Sequence, residues 1–329
     1  MTRGIAKSLF SPLLLLCLMA FGAAAYPSRV LAQMAADEVH ITPHPRSVRP
    51  DRAAFRSDVN LVLVNVTVAD FQGRLVSELG PENFSILEDK RPQQLRYFSR
   101  EEEPLSVAII LDTSQSMKAH MAQARAAALA FVRDSNPEDE FVLITFADQP
   151  RLVASLADSE PEADLLRFTA GVSAKGNTAL WDAVHLGVRK LRHARHGRRA
   201  LLVISDGGDN HSRYTQSEIK SLLEEADVQV YGIDMLDPAP MKSADRLGLL
   251  SLDEIAGATG GRIFPVHDLA ELHRAIDQIS LALRTQYVLG YYPSQAAQAA
   301  NWRKIKVEVK NFSDSRGLHI YAKKGYSLK

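Results

Sequence analysis

The stretch VAIILDTSQS, residues 107–116, joins an unbroken apolar run to an acid and two serines. Four later apolar runs are similarly rich in branched residues: Phe141–Phe146, Ala200–Ile204, Val228–Ile233 and Arg262–Val266. Runs of this kind are typical of strands that are buried on both faces of a parallel sheet. We therefore predict that Val107–Leu111 is one of five strands in such a sheet.

Helical periodicity fills the sequence between these runs. Apolar residues recur every three or four positions in four stretches: Met117–Phe131, Leu180–Leu191, Ile219–Ala226 and Leu272–Leu283. Three pairs have capping-box spacing at helix starts: Ser159 with Glu162, Thr215 with Glu218, and Asp268 with Glu271. Alternating strands and helices predict an α/β fold with a doubly wound, mostly parallel sheet, like a Rossmann-type fold.

Shorter, alternating strand patterns lie outside this region. Val62–Val68, Phe84–Leu87 and Gln94–Phe98 precede it, and Tyr287–Tyr292, Ile305–Val309 and Leu318–Tyr321 follow it. Neither group is large enough to bury a core alone. We therefore predict one small β-sandwich built from residues 58–103 and 287–329, with the α/β domain, residues 104–286, inserted into it.

The N-terminus has the pattern of an export signal. Arg3 and Lys7 precede the largely apolar stretch Leu9–Ala25, and small residues suitable for cleavage follow. We predict a signal peptide over residues 1–32 and a flexible polar linker over residues 33–57. The protein is then secreted or periplasmic, with a membrane tether as the alternative if the signal segment is retained.

Composition narrows the possible partners. Of 329 residues, 39 are basic and 39 acidic, so no overall field favours nucleic acid or an anionic membrane. The single cysteine, Cys17, lies in the signal segment, which excludes disulfides and thiolate chemistry from the mature chain. We expect no nucleic-acid partner and no membrane insertion after signal cleavage.

Five polar residues follow the predicted strands in a pattern that suits a metal site. Asp112, Ser114 and Ser116 end the first strand, Thr178 precedes a helix, and Asp206 follows the third strand. The carboxyl ends of the strands form the ligand-binding edge of a doubly wound sheet, so these side chains are expected to meet there. Hard oxygen donors favour Mg2+, with Mn2+ or Ca2+ also possible.

The charge of this set suggests what the ion would bind. Hydroxyl groups coordinate a cation without neutralising it, so the ion would keep positive character and an open coordination position. We therefore predict a protein ligand that presents an Asp or Glu side chain.

The pattern Asp112-x-Ser114-x-Ser116, then Thr178, then Asp206, resembles the metal-ion-dependent adhesion site of von Willebrand factor A-type domains. The resemblance covers roughly Leu105–Thr285, and every motif position is filled. The flanking segments resemble those of bacterial exported proteins with a von Willebrand factor A-related domain, through Leu79–Phe84 and Lys324–Tyr326 among others.

The resemblance implies a role for each residue. Ser114 and Ser116 would bind the ion directly, Thr178 directly or through water, and Asp112 and Asp206 mostly through waters. It also implies that Thr178 enters direct coordination as the ligand arrives, while the last helix shifts.

Several alternatives stay open beside this adhesion hypothesis. In the first, Ser114 and Ser116 serve only as caps of the helix starting near Met117. In the second, the chain is a structural envelope or assembly component with a vestigial metal site. In the third, which fits the sequence less well, it is a metal-dependent phosphohydrolase. Enzymatic function is disfavoured because Asn177 replaces the lysine of a phosphate-binding loop, Ser114 stands where an aspartyl phosphatase needs a second Asp, and G-x-S-x-G is missing.

Overall fold

The computed structural model describes residues 61–100, 102–155, 160–236, 243–293, 302–311 and 317–327. The predicted signal peptide and linker lie outside these ranges, as does Cys17. Among the residues described, no helix combines the length and apolar character needed to cross a membrane. The described residues belong to one compact unit, Ser57–Lys329.

Four short strands come first along the chain: β1 (Val62–Ala69), β2 (Phe84–Glu88), β3 (Arg91–Gln93) and β4 (Leu95–Ser99). In β1, the valines at positions 64, 66 and 68 are buried because side chains two positions apart point to the same face. Three of these strands match the alternating patterns of the sequence. β3 is an addition, joined to β2 by a tight turn.

The central sheet contains six strands: β5 (Leu105–Asp112), β6 (Glu140–Phe146), β7 (Pro150–Ala154), β8 (Arg198–Ser205), β9 (Gln229–Met235) and β10 (Ile263–Val266). Their spatial order is β10-β9-β8-β5-β6-β7. All neighbouring strands are parallel except β7, which pairs antiparallel with β6 at the edge. The five predicted strands are all present, and β7 was not foreseen.

Among the described residues, the helices that cover the two faces of this sheet are α1 (Met121–Arg133), α2 (Pro161–Thr169), α3 (Leu180–Leu191), α4 (Gln216–Ala226), α5 (Ser243–Thr259) and α6 (Leu269–Arg284). The predicted capping box at Thr215 and Glu218 is present, and Asp268 accepts a hydrogen bond from the Glu271 N–H. The prediction for α2 was wrong. Its N-cap is Glu160 rather than Ser159, because Pro161 supplies a backbone angle suited to the first helical position.

The chain closes with β11 (Tyr287–Tyr291), β12 (Trp302–Val309), β13 (His319–Ala322) and β14 (Gly325–Ser327). These strands combine with β1–β4 in two four-stranded antiparallel sheets, ordered β13-β1-β11-β4 and β14-β12-β2-β3. Apolar residues of both sheets share one core, including Val66, Ile86 and Ile305. The predicted fold class is confirmed: a mostly parallel α/β sheet inserted between terminal segments that form a β-sandwich. The domain boundaries remain predictions.

A buried acid ties the two sandwich sheets together. Glu88 is paired with Arg303 at 2.5 Å, and both side chains are almost fully buried. The hydroxyls of Tyr291 and Tyr326 donate to the other carboxylate oxygen of Glu88 at 2.7 and 2.8 Å. Burial raises the pKa of Tyr326 above its usual value. The Glu88 carboxylate raises it further, because it accepts a hydrogen bond that only the neutral hydroxyl can donate.

We expect Glu88→Ala to lower the free energy of unfolding by about 3–5 kcal/mol, because it leaves the buried Arg303 without its counter-charge. The matched control is Glu308→Ala in the same sheet. Glu308 pairs with the exposed Lys306, so its loss should cost less than about 1 kcal/mol. Urea denaturation of both variants measures the difference, and equal losses would contradict this account.

Candidate metal centre

Asp112 lies where the winding of the central sheet reverses. It is the last residue of β5, which has β6 on one side and β8 on the other. Its side chain is fully buried and accepts hydrogen bonds from Ser205 Oγ at 2.5 Å and from the Ser114 N–H at 2.7 Å. These two hydrogen bonds therefore hold the Asp112 carboxylate at the edge where ligands bind in such folds.

The two motif serines and Asp206 are in direct contact. Ser114 Oγ lies 3.0 Å from Ser116 Oγ, and Ser116 Oγ donates to Asp206 Oδ1 at 2.8 Å. Asp206 follows β8, 90 positions away in sequence, so the sheet brings these groups together.

The capping alternative is not what the structure contains. A short 3-10 turn, Ser116–Ala119, has Gln115 as its N-cap and receives no side-chain cap. The N-cap of α1 is His120, again without a side-chain hydrogen bond. Ser114 and Ser116 direct their hydroxyls toward each other and Asp206 instead.

Thr178 reaches this edge on a second loop. The Lys175 N–H donates to the Thr113 carbonyl at 3.0 Å, and the Gln115 N–H donates to the Gly176 carbonyl at 3.1 Å. Thr178 itself is buried, and its N–H donates to Asn210 Oδ1 at 2.8 Å. These backbone bonds place the loop of residues 170–179, the Thr178 loop, directly beside the loop of residues 113–116, the serine loop.

The electrostatics of the edge favour a cation. Burial raises the pKa of Asp112 to about 7, and the nearby Asp206 carboxylate raises it as well. Hydrogen bonds from Ser205 and Ser114 act in the opposite direction. The buried Asp112 carboxylate and the partly exposed Asp206 carboxylate repel each other, and a bound divalent cation would reduce that repulsion.

The donor chemistry fits a hard divalent ion. The five side chains supply three hydroxyl and two carboxyl groups, all oxygen ligands of the type that Mg2+, Mn2+ and Ca2+ prefer. In the described ranges, no group of three or more His, Cys, Asp or Glu side chains forms a metal cluster. A site at this edge would therefore depend largely on neutral hydroxyl groups.

Several residues that support the edge were not recognised in the sequence. They are Ser205, Asn210 and Asp148, of which Asp148 accepts hydrogen bonds from Asn177 N and Nδ2 at 2.8 and 2.9 Å. The Asn177 N–H lowers the pKa of Asp148 and so favours its charged form. The density of Asp, Asn and Ser in residues 205–212 was the one available signal for Asn210.

The same loop after β8 also secures the start of α3. Asp182, buried at the first turn, accepts from the backbone N–H groups of Arg213 and Tyr214 and pairs with the Arg213 side chain at 3.0 Å. Ser212 Oγ accepts from the Asp182 N–H at 3.1 Å. The loop therefore fixes both Thr178 and the helix that follows it.

The sequence profile of the von Willebrand factor type A domain family matches residues 107–208. The chain contains a von Willebrand factor type A domain.

A curated relative is inter-alpha-trypsin inhibitor heavy chain H4 of Sus scrofa, 26% identical over 182 residues, which is 52% of this chain. The match spans only 18% of that relative.

Two solved structures are also similar. A von Willebrand factor type A protein from Catenulispora acidiphila is 14% identical, with a TM-score of 0.46, over 83% of this chain and 75% of that one. An aerotolerance-related membrane protein from Bacteroides fragilis is 22% identical, with a TM-score of 0.43, over 54% of this chain and 98% of that one.

We expect Gly176→Ala to destabilise the Thr178 loop by about 1 kcal/mol or more. Gly176 has φ +88°, and an added Cβ would lie 2.6 Å from Asp148 Oδ2, the acid that holds Asn177. The matched control is Gly171→Ala, where an added Cβ meets nothing within 4 Å. Denaturation measures stability, and amide exchange at Asn177 and Thr178 localises the effect. Equal behaviour of the two variants would contradict the prediction.

Proposed function

We propose that this protein is an exported adhesion module that binds one divalent cation, Mg2+ foremost, through Asp112, Ser114, Ser116, Thr178 and Asp206. The observation that carries the proposal is the contact of Ser114, Ser116 and Asp206 at one sheet edge, with interatomic distances of 3.0 and 2.8 Å. This contact supports the proposal, because the oxygen atoms are close enough to one another to serve as ligands of a single ion.

The next step is capture of a partner's carboxylate. An ion held by three neutral hydroxyls and by carboxylates that act mostly through water keeps net positive character. The side chain of an Asp or Glu on another protein is then a suitable additional ligand, because carboxylate oxygens match the preference of Mg2+. The bound cation would supply this electrostatic attraction, while the chain's own loops orient its ligands.

Preorganisation of the ligand groups supports binding. The hydrogen bonds from Ser205 and Ser114 N–H fix Asp112, and two backbone bonds fix the Thr178 loop against the serine loop. Rigid ligands lower the ordering cost of binding. In this proposal the chain acts outside the cytoplasm, reached through the predicted signal peptide, and has no enzymatic activity.

We expect Mg2+ to bind the unmutated protein with one site by calorimetry, and Ser116→Ala to weaken that binding by at least about 10-fold. Ser116 contacts both Ser114 and Asp206, so its loss removes a ligand and a hydrogen bond. The matched control is Ser173→Ala, an exposed serine on the preceding loop, which should leave binding unchanged. If Ser116→Ala binds Mg2+ as tightly as the unmutated protein, Ser116 is not a ligand of the ion. No heat from the unmutated protein would favour the structural component with a vestigial site.

We expect a Glu-containing peptide immobilised on a surface to retain the protein when Mg2+ is present and to release it on addition of chelator. The same peptide with Gln in place of Glu should retain much less protein, because the neutral amide is a poorer ligand for a cation. Retention that ignores chelator, or that is equal for Glu and Gln, would argue against carboxylate capture even if the metal binds.

A further inference from the structure

A second candidate site is a cavity at the opposite end of the α/β sheet from the metal edge. It has a volume of about 270 Å³ and lies between the outer face of the β13-β1-β11-β4 sheet and the start of β8. Its apolar wall includes Leu61, Leu63, Tyr97 and Val288. Leu63 and Tyr97 are 43% and 41% exposed, which is unusual for large apolar side chains that line one concave surface.

Gly290 lies next to three of these side chains. A Cβ at this position would lie 2.8 Å from Tyr97 Cβ, 3.1 Å from Leu63 Cδ2 and 3.3 Å from Leu61 Cδ2. The three side chains therefore meet above one residue, and the missing side chain of Gly290 leaves them room. They form a continuous apolar surface rather than isolated exposed residues.

The other wall of the cavity contains a buried positive charge. Arg198 is 5% exposed and lines the cavity. Its guanidinium donates to neutral acceptors: the Glu103 and Leu283 carbonyls and Gln286 Oε1. Arg198 Nε is buried and has no hydrogen-bond partner among the described residues. No carboxylate of the described residues lies within ion-pair distance of the Arg198 guanidinium.

A buried charge without a counter-ion is costly. Burial lowers the pKa of Arg198, and the carboxylates of Glu103, Asp139 and Glu102, which lie nearby but beyond ion-pair distance, act the other way. The other acid of the cavity, Asp227, is already paired with Lys323 at 2.8 Å. An external carboxylate would provide the direct ion pair that Arg198 lacks among the described residues.

We propose that this cavity binds the C-terminal residue of a polypeptide whose last side chain is apolar. The terminal carboxylate would meet Arg198, and the apolar side chain would cover Leu61, Leu63 and Tyr97. The cavity is slightly smaller than the roughly 300–1,000 Å³ of sites for drug-sized ligands, so it suits one residue rather than a long acyl chain. This site is independent of the metal edge and of its proposed function.

The test is an NMR-detected titration of the full chain with N-acetyl-leucine, N-acetyl-leucinamide and octanoate. It is made in the Ser116→Ala background without added divalent ions, so that no carboxylate binds through the metal edge. We expect N-acetyl-leucine to shift the signals of Leu61, Leu63 and Tyr97, and its amide to bind at least about 10-fold more weakly, as the loss of a charge-assisted hydrogen bond predicts.

Two variants are expected to change the affinity of the cavity for N-acetyl-leucine in opposite directions. Leu63→Glu places a like charge and a polar group on the exposed apolar wall, so binding should fall by at least about 10-fold. Glu103→Gln removes the competing acid near Arg198, so binding should tighten. Leu250→Glu is the control for leucine replacement, since Leu250 is 59% exposed and is not part of the cavity wall. Near-ultraviolet circular dichroism verifies that each variant is folded.

Four results would overturn the proposal. They are equal binding of the acid and its amide, no effect of Leu63→Glu, absence of binding by any of the three probes, and tighter binding of octanoate than of N-acetyl-leucine. The last result would assign the cavity to acyl chains instead of peptide ends.

Discussion

The architecture depends on one buried carboxylate at the end of one buried strand. β5 is covered by helices on both faces and by β6 and β8 on both sides, so Asp112 enters the ligand edge from the least solvated part of the sheet. A carboxylate there is stable only when it is hydrogen-bonded or paired. Ser205 and the Ser114 N–H supply those bonds, and in doing so they fix the directions of both neighbouring loops.

The edge is consequently built by reciprocal contacts between loops. In the serine loop, the Thr113 carbonyl accepts a hydrogen bond from the Thr178 loop at 3.0 Å, and the Gln115 N–H donates one to that loop at 3.1 Å. Asn210 holds Thr178 from the other side. Apart from the 3-10 turn that begins at Ser116, these two loops have no regular secondary structure. Backbone N–H and carbonyl groups of one loop form hydrogen bonds with those of the other, which keeps the side-chain oxygen atoms in a fixed arrangement.

The sandwich is joined to the opposite end of the same strand. β5 has eight residues, which corresponds to about 26 Å of extended chain, so the metal edge and the second cavity lie far apart. Gln286, at the return from α6 to the sandwich, donates to Gln229 Oε1 at 2.9 Å and contacts Thr67 Oγ1. This buried polar junction connects the terminal strands to the α/β sheet. The two proposed sites lie at opposite ends of that sheet.

Periodicity and short-range spacing were sufficient for most of the secondary structure. The continuous apolar runs predicted five parallel strands, the alternating runs predicted the sandwich strands, and Thr215 with Glu218 located the start of α4, because each signal depends on residues within a few positions. Four of the described elements escaped: β3 and β14, which have three residues each, β7, and α5. The antiparallel edge strand β7 is short and largely exposed, and α5 carries Gly248 and Gly257 within its apolar pattern.

The sequence by itself determined the fold class and the five candidate ligands, since strand ends in a doubly wound sheet meet at one edge whatever the details of the loops. Only the tertiary structure decided that Ser114 and Ser116 face Asp206 rather than capping a helix. It alone revealed Ser205 as the partner of Asp112 and left Arg198 buried beside an apolar cavity. Such contacts join residues that are about 90 positions or more apart, and no local pattern encodes a distance of that kind.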